Sequence, residues 1–300
     1  MWQPEPGWQR LPGGGSPSAY GVWLAHEGDT DVIVKRLVAP VEGDLRELSD
    51  WRSCAWWERE PQVALHGLVA GTSGLRGPAA VRVEEDTEGI TMVQERVTAS
   101  HNPGLFVARA LGLFARTPPP DVPWLARHQL RERLAHIERR GGWQTLARTT
   151  LADVADHLWQ HRARHLATLD ELPQVLQHGD PTPANLPGRL GDDVVAIDWS
   201  ALGTGATGHD LGLWALAVRE DFEPLLAAYV DGLGDPGLEH AATTGARIAV
   251  VYTALSRLDW ALRRVADGEG ALAGKYTHPS VAPYVTSMQR QATQIEALLA

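Results

Sequence analysis

Between Leu176 and Trp199 the chain reads LQHGDPTPANLPGRLGDDVVAIDW. Asp180 follows His178 and Gly179, Asn185 comes five residues later, and Asp198 ends the apolar run Val194–Ile197 after a Gly/Asp turn. These residue types suit phosphoryl transfer, which demands positioning and charge neutralisation rather than a covalent intermediate. Asp180 is placed to accept the hydrogen bond, and later the proton, of an attacking hydroxyl. Asn185 and Asp198 each offer a hard oxygen of the kind Mg²⁺ takes, with phosphates and waters completing its octahedron. His178 reads as structural, its ring bracing the loop. A polar loop between a helix and a strand is the plain alternative. Against it, the chain has only two asparagines, Asn102 and Asn185.

ATP also requires a cation for its α- and β-phosphates. Of 27 lysines and arginines only Lys35 and Lys275 are lysine. Lys35 sits in the β-branched run Asp31–Leu37, and its compact charge is not interchangeable with a planar guanidinium. Upstream, Gly13, Gly14, Gly15 and Ser16 form a loop that can bring backbone N–H groups close to phosphates, although a hairpin loop reads the same way. A helical glutamate should hold Lys35 in place. Glu60 is favoured and Glu58 is the runner-up; Pro61 then has to fall in the first helical turn.

The elements that must position these residues divide the chain. Strands are expected at Gly21–His26, Asp31–Leu37, Ala79–Glu84 and Ile90–Glu95, the last two forming a hairpin. Turn formers at Thr98–Gly104 mark the exit from this part. Helical spacing follows at Leu105–Phe114, Leu146–Leu169, Leu211–Val218 and Ala246–Val265, with a short strand at Val194–Ile197. Three hundred residues fit two lobes around a cleft. Residues 1–97 would form the N-lobe and 98–300 the C-lobe.

The residues Leu172–Asp180, Ala196–Trp199 and Gly208–Leu211 resemble the aminoglycoside phosphotransferase family, which includes choline- and homoserine-kinase relatives. The resemblance runs from about Leu11 to about Ala217. It implies an α+β, bilobal protein-kinase-like fold, with an antiparallel-sheet N-lobe and a mostly helical C-lobe. It implies ATP and Mg²⁺ as cofactors, Asp180 as catalytic base, Asn185 and Asp198 as metal ligands, and Lys35 with Glu60 as the phosphate-side ion pair. Adenine would meet the hinge backbone at about Glu95 to Val97. Asp210 would be a buried aspartate that caps a helix and braces the catalytic loop. Asp198 and Asp210 are only twelve residues apart, which leaves no room for the activation segment of a protein kinase. Thr182 also replaces the lysine usual there. Both departures point to a hydroxylated small molecule as acceptor. A nucleotide-binding protein without turnover is the rival reading.

Composition narrows the partners. A net charge of −10 argues against non-specific nucleic-acid binding, though an acidic field could draw a cationic substrate. The acidity is not concentrated in residues 201–300. No apolar run approaches a membrane span, and no secretory signal is evident. The single cysteine, Cys54, fits a reducing compartment, so a cytoplasmic location is expected. Oligomeric state is left open. The twelve tryptophans are spread along the chain and read as core residues. His157, His161 and His165 share a helical face, which a polar surface explains more simply than zinc. Arg263 and Arg264, with Asp267 and Glu269 nearby, read either as a solvated helix end or as part of the acceptor pocket.

Overall fold

β-Branched and aromatic residues alternating with polar ones build the first sheet. Its strands are β1 (Gln9–Arg10), β2 (Ala19–Glu27) and β3 (Thr30–Val38); β4 (Leu75–Arg76) pairs elsewhere, and β5 (Arg82–Asp86) and β6 (Gly89–Glu95) complete it. The spatial order is β1-β2-β3-β6-β5, antiparallel throughout. The β2–β3 hairpin closes on Gly28-Asp29, where Gly28 supplies a φ of +61°. This is a computed structural model, and it describes residues 2–12, 18–79, 82–143, 150–266 and 278–299.

Alternation gives the sheet two apolar faces. Val32 and Val34 join Trp23, Ala25 and Val93, against which Trp2 and Trp8 pack. Leu37 joins Ile90 and Met92 on the other face, with Trp57 and Ala64 against them. Lys35 shares Leu37's face by the two-residue period, so it points toward helix α1 (Arg59–Leu65). Pro61 is the third residue of α1, where helix N–H groups have no intrahelical partner to lose.

Arg59 is fully buried at the start of α1. Its Nε donates to Trp124 O at 2.9 Å, Nη1 to Cys54 O at 2.9 Å and Ser200 O at 3.1 Å, and Nη2 to Trp51 O at 3.3 Å and Ser53 O at 2.5 Å. One guanidinium thus ties α1 to the loop before it and to two segments of the helical part.

That part comprises α2 (Gly104–Ala115), α3 (Gln129–Arg139), α4 (Thr150–Glu171), α5 (His209–Ala217), α6 (Phe222–Leu233), α7 (Glu239–Ala266), α8 (Ala282–Arg290) and α9 (Ala292–Leu299). Short strands are set into it. β7 (Gln174–Gln177) pairs with β10 (Gly203–Ala206), while β8 (Gly188–Leu190) and β9 (Asp193–Val195) form a sheet with β4. The parallel β4–β9 contact joins the two parts: Val194 N donates to Gly74 O and Ala196 N to Arg76 O, both at 2.8 Å. One apolar core runs through the helices and reaches Val63 and Leu75. Helices α2 and α6 cross at reciprocal glycines. A Cβ on Gly112 would lie 2.1 Å from Tyr229 O, and one on Gly232 would lie 2.1 Å from Arg109 O.

The α+β architecture agrees with the sequence reading, while several boundaries move. The strand expected at Ala79–Glu84 is Arg82–Asp86, with residues 80–81 outside the described set. The strand expected at Val194–Ile197 ends at Val195, because Ala196 and Ile197 lead into the turn that carries Asp198. Helix α7 begins at Glu239 rather than Ala246, and α3 and α6 were not anticipated. For α3 the signal was present, since Leu130, Leu134 and Ile137 are its buried residues at helical spacing.

The glycine crossing sets a stability test. Gly112→Val should destabilise the protein by about 1–3 kcal/mol, because the added carbons meet backbone rather than a side chain that can move. A thermal-melt midpoint equal to that of the parent would refute the close approach.

Candidate active site

Three segments converge on Lys35. Its Nζ donates to a carboxylate oxygen of Glu60 and to Asp198 Oδ1 at 3.2 Å. Glu60 is buried in the first turn of α1, whereas 42 % of the Asp198 side chain is exposed. Burial works to lower the Lys35 pKa, but Glu60 and Asp198 together outweigh it and hold the ammonium above its ordinary value. Burial also works against an ionised Asp198, and Lys35 with Ser200 reverses this, leaving the carboxyl below its ordinary value. Glu58 does not reach Lys35; its pKa is raised by burial and by the nearby Glu85.

Asp198 adopts a left-handed backbone, φ +58° and ψ 64°, which is uncommon for any residue but glycine. The following residues, Trp199–Ala201, turn as a 3-10 helix, and the Trp199 ring is buried against His178 and Phe114. Backbone strain at a partly exposed carboxylate is characteristic of functional sites.

The loop after β7 carries the other polar groups. Asn185 Nδ2 donates to the Asp180 carbonyl and to Asp180 Oδ2, both at 3.0 Å. Both acceptors are oxygens, so the NH₂ faces Asp180 and Oδ1 points away from it. Ile197 N donates to Asn185 O at 2.8 Å, linking this loop to the segment that carries Asp198.

His178 is fully buried, and burial holds its pKa below the usual value, so the ring is neutral. Its Nδ1 accepts from Asp180 N at 3.3 Å and its Nε2 donates to Ile197 O at 3.0 Å, which fixes the tautomer. The adjacent Gly179 has a φ of +86°, and a Cβ there would lie 2.4 Å from Ala201 O. Only glycine fits.

Asp210 lies in the first turn of α5, but its carboxylate makes no cap to that helix. Instead it accepts from His178 N at 2.7 Å and Gly179 N at 3.0 Å. The expected helix cap is therefore corrected: both oxygens serve the loop. Burial pushes the Asp210 pKa up to about 7 despite these two bonds.

Glu95 ends β6 opposite Val32. Val97 packs onto Gly188, where a Cβ would come within 2.3 Å of Val97 Cγ1. Ser100 N donates to Pro187 O at 2.7 Å, and Asn102 Nδ2 to Leu186 O at 3.1 Å and Gly188 O at 3.0 Å. The segment leaving the first sheet is thus bound to the end of the Asn185 loop. Gly13, Gly14, Gly15 and Ser16 lie outside the described residues, as do Asp267 and Glu269.

Asp180 also lines a cavity of about 680 Å³ with Arg133 of α3, Arg257 and Trp260 of α7, and Tyr284 of α8. The sequence reading missed these residues, since nothing in a chain this rich in arginine marks the two that meet. Arg263 proves structural: it donates to Asp259 Oδ2 at 2.8 Å, Arg140 O at 3.0 Å and Gly142 O at 2.5 Å. Arg264 lies over the Trp260 ring at 4.7 Å. His157 and His161 stack at 4.1 Å, but His165 is buried with Nδ1 2.7 Å from Tyr252 Oη, so the three rings do not converge. Among the described residues no group of three His, Cys, Asp or Glu side chains is arranged to hold a metal, and no helix is long and apolar enough to cross a membrane. Cys54 is a free thiol whose pKa burial and Glu132 push up to about 12.

Similar proteins share this architecture. A choline/ethanolamine kinase family protein from Mesorhizobium loti is 18% identical with a TM-score of 0.57, covering 97% of this chain and 92% of its own. Aminoglycoside 2'-phosphotransferase-IIIa, solved as its GDP complex, is 12% identical with a TM-score of 0.61, covering 95% and 92%. A microcompartment-associated aminopropanol kinase is 15% identical with a TM-score of 0.59, covering 97% and 92%. At these identities the likeness is one of fold. No curated protein matches the chain by sequence. The sequence profile described as "Phosphotransferase enzyme family" matches residues 7–244, well over half of the chain, and the protein therefore belongs to that family.

Proposed function

We propose that the protein transfers the γ-phosphate of ATP to a hydroxyl of a small molecule, in a cleft between an N-lobe of residues 1–97 and a C-lobe of residues 98–300. The observation that carries this reading is the meeting of Lys35, Glu60 and Asp198 beside the Asp180–Asn185 pair. Lys35, kept charged by two carboxylates, binds oxygens of the α- and β-phosphates. The backbone from Glu95 to Val97 receives the adenine. A nucleotide is bound in the solved 2'-phosphotransferase, which supports this assignment.

The oxygens of Asn185 and Asp198 form a hard donor pair that fits Mg²⁺, and the depressed pKa of Asp198 keeps its carboxylate ionised for it. Bound there, Mg²⁺ would supply charge neutralisation across the phosphates. Asp180 accepts the hydrogen bond of the acceptor hydroxyl. As the acceptor oxygen bonds to the γ-phosphorus, the bond from that phosphorus to the β-phosphate oxygen breaks. ADP leaves with the electron pair, and Asp180 takes the hydroxyl proton. Asn185 holds Asp180 through one carboxylate oxygen, leaving the other for the acceptor. His178 and Asp210 act one step away by fixing the loop's course. The short span from Asp198 to Asp210 supports a small acceptor, as do the small-molecule kinases among the structural relatives. The lone Cys54 supports a cytoplasmic location.

Three substitutions test the reading. Asp180→Asn should lower kcat by about 10²–10⁴-fold while Mg-ATP binding is retained, as read by ADP release and calorimetry. Normal turnover would remove Asp180 as the base. Asp198→Ala should weaken Mg-nucleotide binding roughly tenfold or more, since a lost ligand costs at least as much as a lost outer partner. An unchanged affinity would exclude the ligand role. Asp210 sets a pH test. Its pKa rises from 3.8 to about 7 on folding, so between these values the folded chain keeps a proton that the unfolded chain has lost. Its contribution to stability therefore falls as pH rises from about 4 to about 7. The stability of the parent minus that of Asp210→Asn should decline across this window in urea titrations. A flat difference would show that the carboxylate is ionised throughout.

A further inference from the structure

The cavity beside Asp180 carries a charge pattern that bears on the acceptor. Three carboxylates line it, and each is engaged: Glu47 pairs with Arg139 at 2.8 Å, Asp259 with Arg263 at 2.8 Å, and Asp180 accepts from Asn185. Arg133 and Arg257 are only partly exposed, and neither has a hydrogen-bond or ion-pair partner among the described residues. They come from different helices and line the same cavity, where the Arg257 charge reaches Arg133. Burial and then Arg257 hold the Arg133 pKa below its ordinary value, while Asp180 works the other way. Two guanidinium groups held together in a half-closed cavity repel each other, and a bound anion would reverse the sign of that interaction. The apolar wall is no better suited to a cation. Arg264 already occupies the Trp260 ring, whose neighbour Tyr284 stands edge-on at 6.0 Å. An amino-alcohol acceptor would thus meet two paired carboxylates, Glu47 and Asp259, a single uncommitted oxygen of Asp180, and two arginines with no ion-pair partner among the described residues.

We propose that the acceptor carries an oxyanion, a carboxylate or a phosphate, clamped by Arg133 and Arg257 while its hydroxyl is presented to Asp180. The inference rests on the phosphotransferase reading for the hydroxyl, and on the cavity alone for the anion. Guanidinium forks match both anions bidentately, and a cavity of about 680 Å³ takes a small molecule comfortably.

Calorimetry with four probes of similar size, in saturating Mg-ADP, reads the clamp without turnover. The probes are glycerate, glycerol 3-phosphate, glycerol and ethanolamine. At least one anion should bind about tenfold or more tightly than glycerol and ethanolamine, and which one does so separates carboxylate from phosphate. Arg133→Gln and Arg257→Gln should each abolish that preference, while Arg133→Lys and Arg257→Lys keep part of it and guard against a merely unfolded variant. Asp180→Asn should retain the preference, so a failed base assignment and a failed clamp give different results. Equal or tighter binding of glycerol or ethanolamine would overturn the proposal, as would binding of neither anion. Anion binding that both glutamine variants retain would do the same. Where a probe is phosphorylated, loss of kcat in the arginine variants with KM unmoved would assign the arginines to the transferring phosphoryl group and overturn the clamp.

Discussion

A single ammonium held between two carboxylates organises this molecule. Burying a lysine is costly, and Lys35 tolerates it only because Glu60 and Asp198 are both within reach. That requirement reaches far along the chain. The two-residue period of β3 must put Lys35 on the face toward α1, Pro61 must not displace the first turn, and Asp198 must leave the regular backbone to meet the same nitrogen. The trio carries one net negative charge. The trio is enclosed on the glutamate side and open on the aspartate side, where the Asp198 carboxylate is partly exposed.

The loop around Asp180 shows a different economy. His178 uses both ring nitrogens, Asp210 uses both oxygens and Asn185 uses its NH₂, all on backbone or side chains within the same few turns. Each group fixes the next, so the carboxylate of Asp180 is positioned before any ligand arrives. Such a network tolerates little substitution, whereas the helices behind it need only conserve packing. This fits a fold retained among structures 12% to 18% identical to this chain.

Local spacing made much of this visible in the sequence. His178, Asp180, Asn185 and Asp198 lie within 21 residues, and scarcity singled out Lys35. The strands near it were legible because β-branched residues alternate there. What escaped notice depends on distant partners. The β4–β9 pairing involves two-residue and three-residue strands with no periodicity to read. The family resemblance implied that Asp210 caps a helix and braces the loop; its partners are loop N–H groups 31 and 32 residues away. Arg133 and Arg257 come together through the packing of α3 on α7, and Arg59 finds carbonyls up to 141 residues distant. Arginines are numerous enough here that only the fold selects among them.

The buried guanidinium of Arg59 has a bearing on regulation. It fastens α1, and hence Glu60, to carbonyls in both parts of the protein, including one two residues beyond Asp198. A helix anchored in this way cannot swing outward as an on–off lever without giving up five hydrogen bonds at once. Assembly of the Lys35–Glu60–Asp198 trio is then a property of the folded chain rather than a step awaiting a signal.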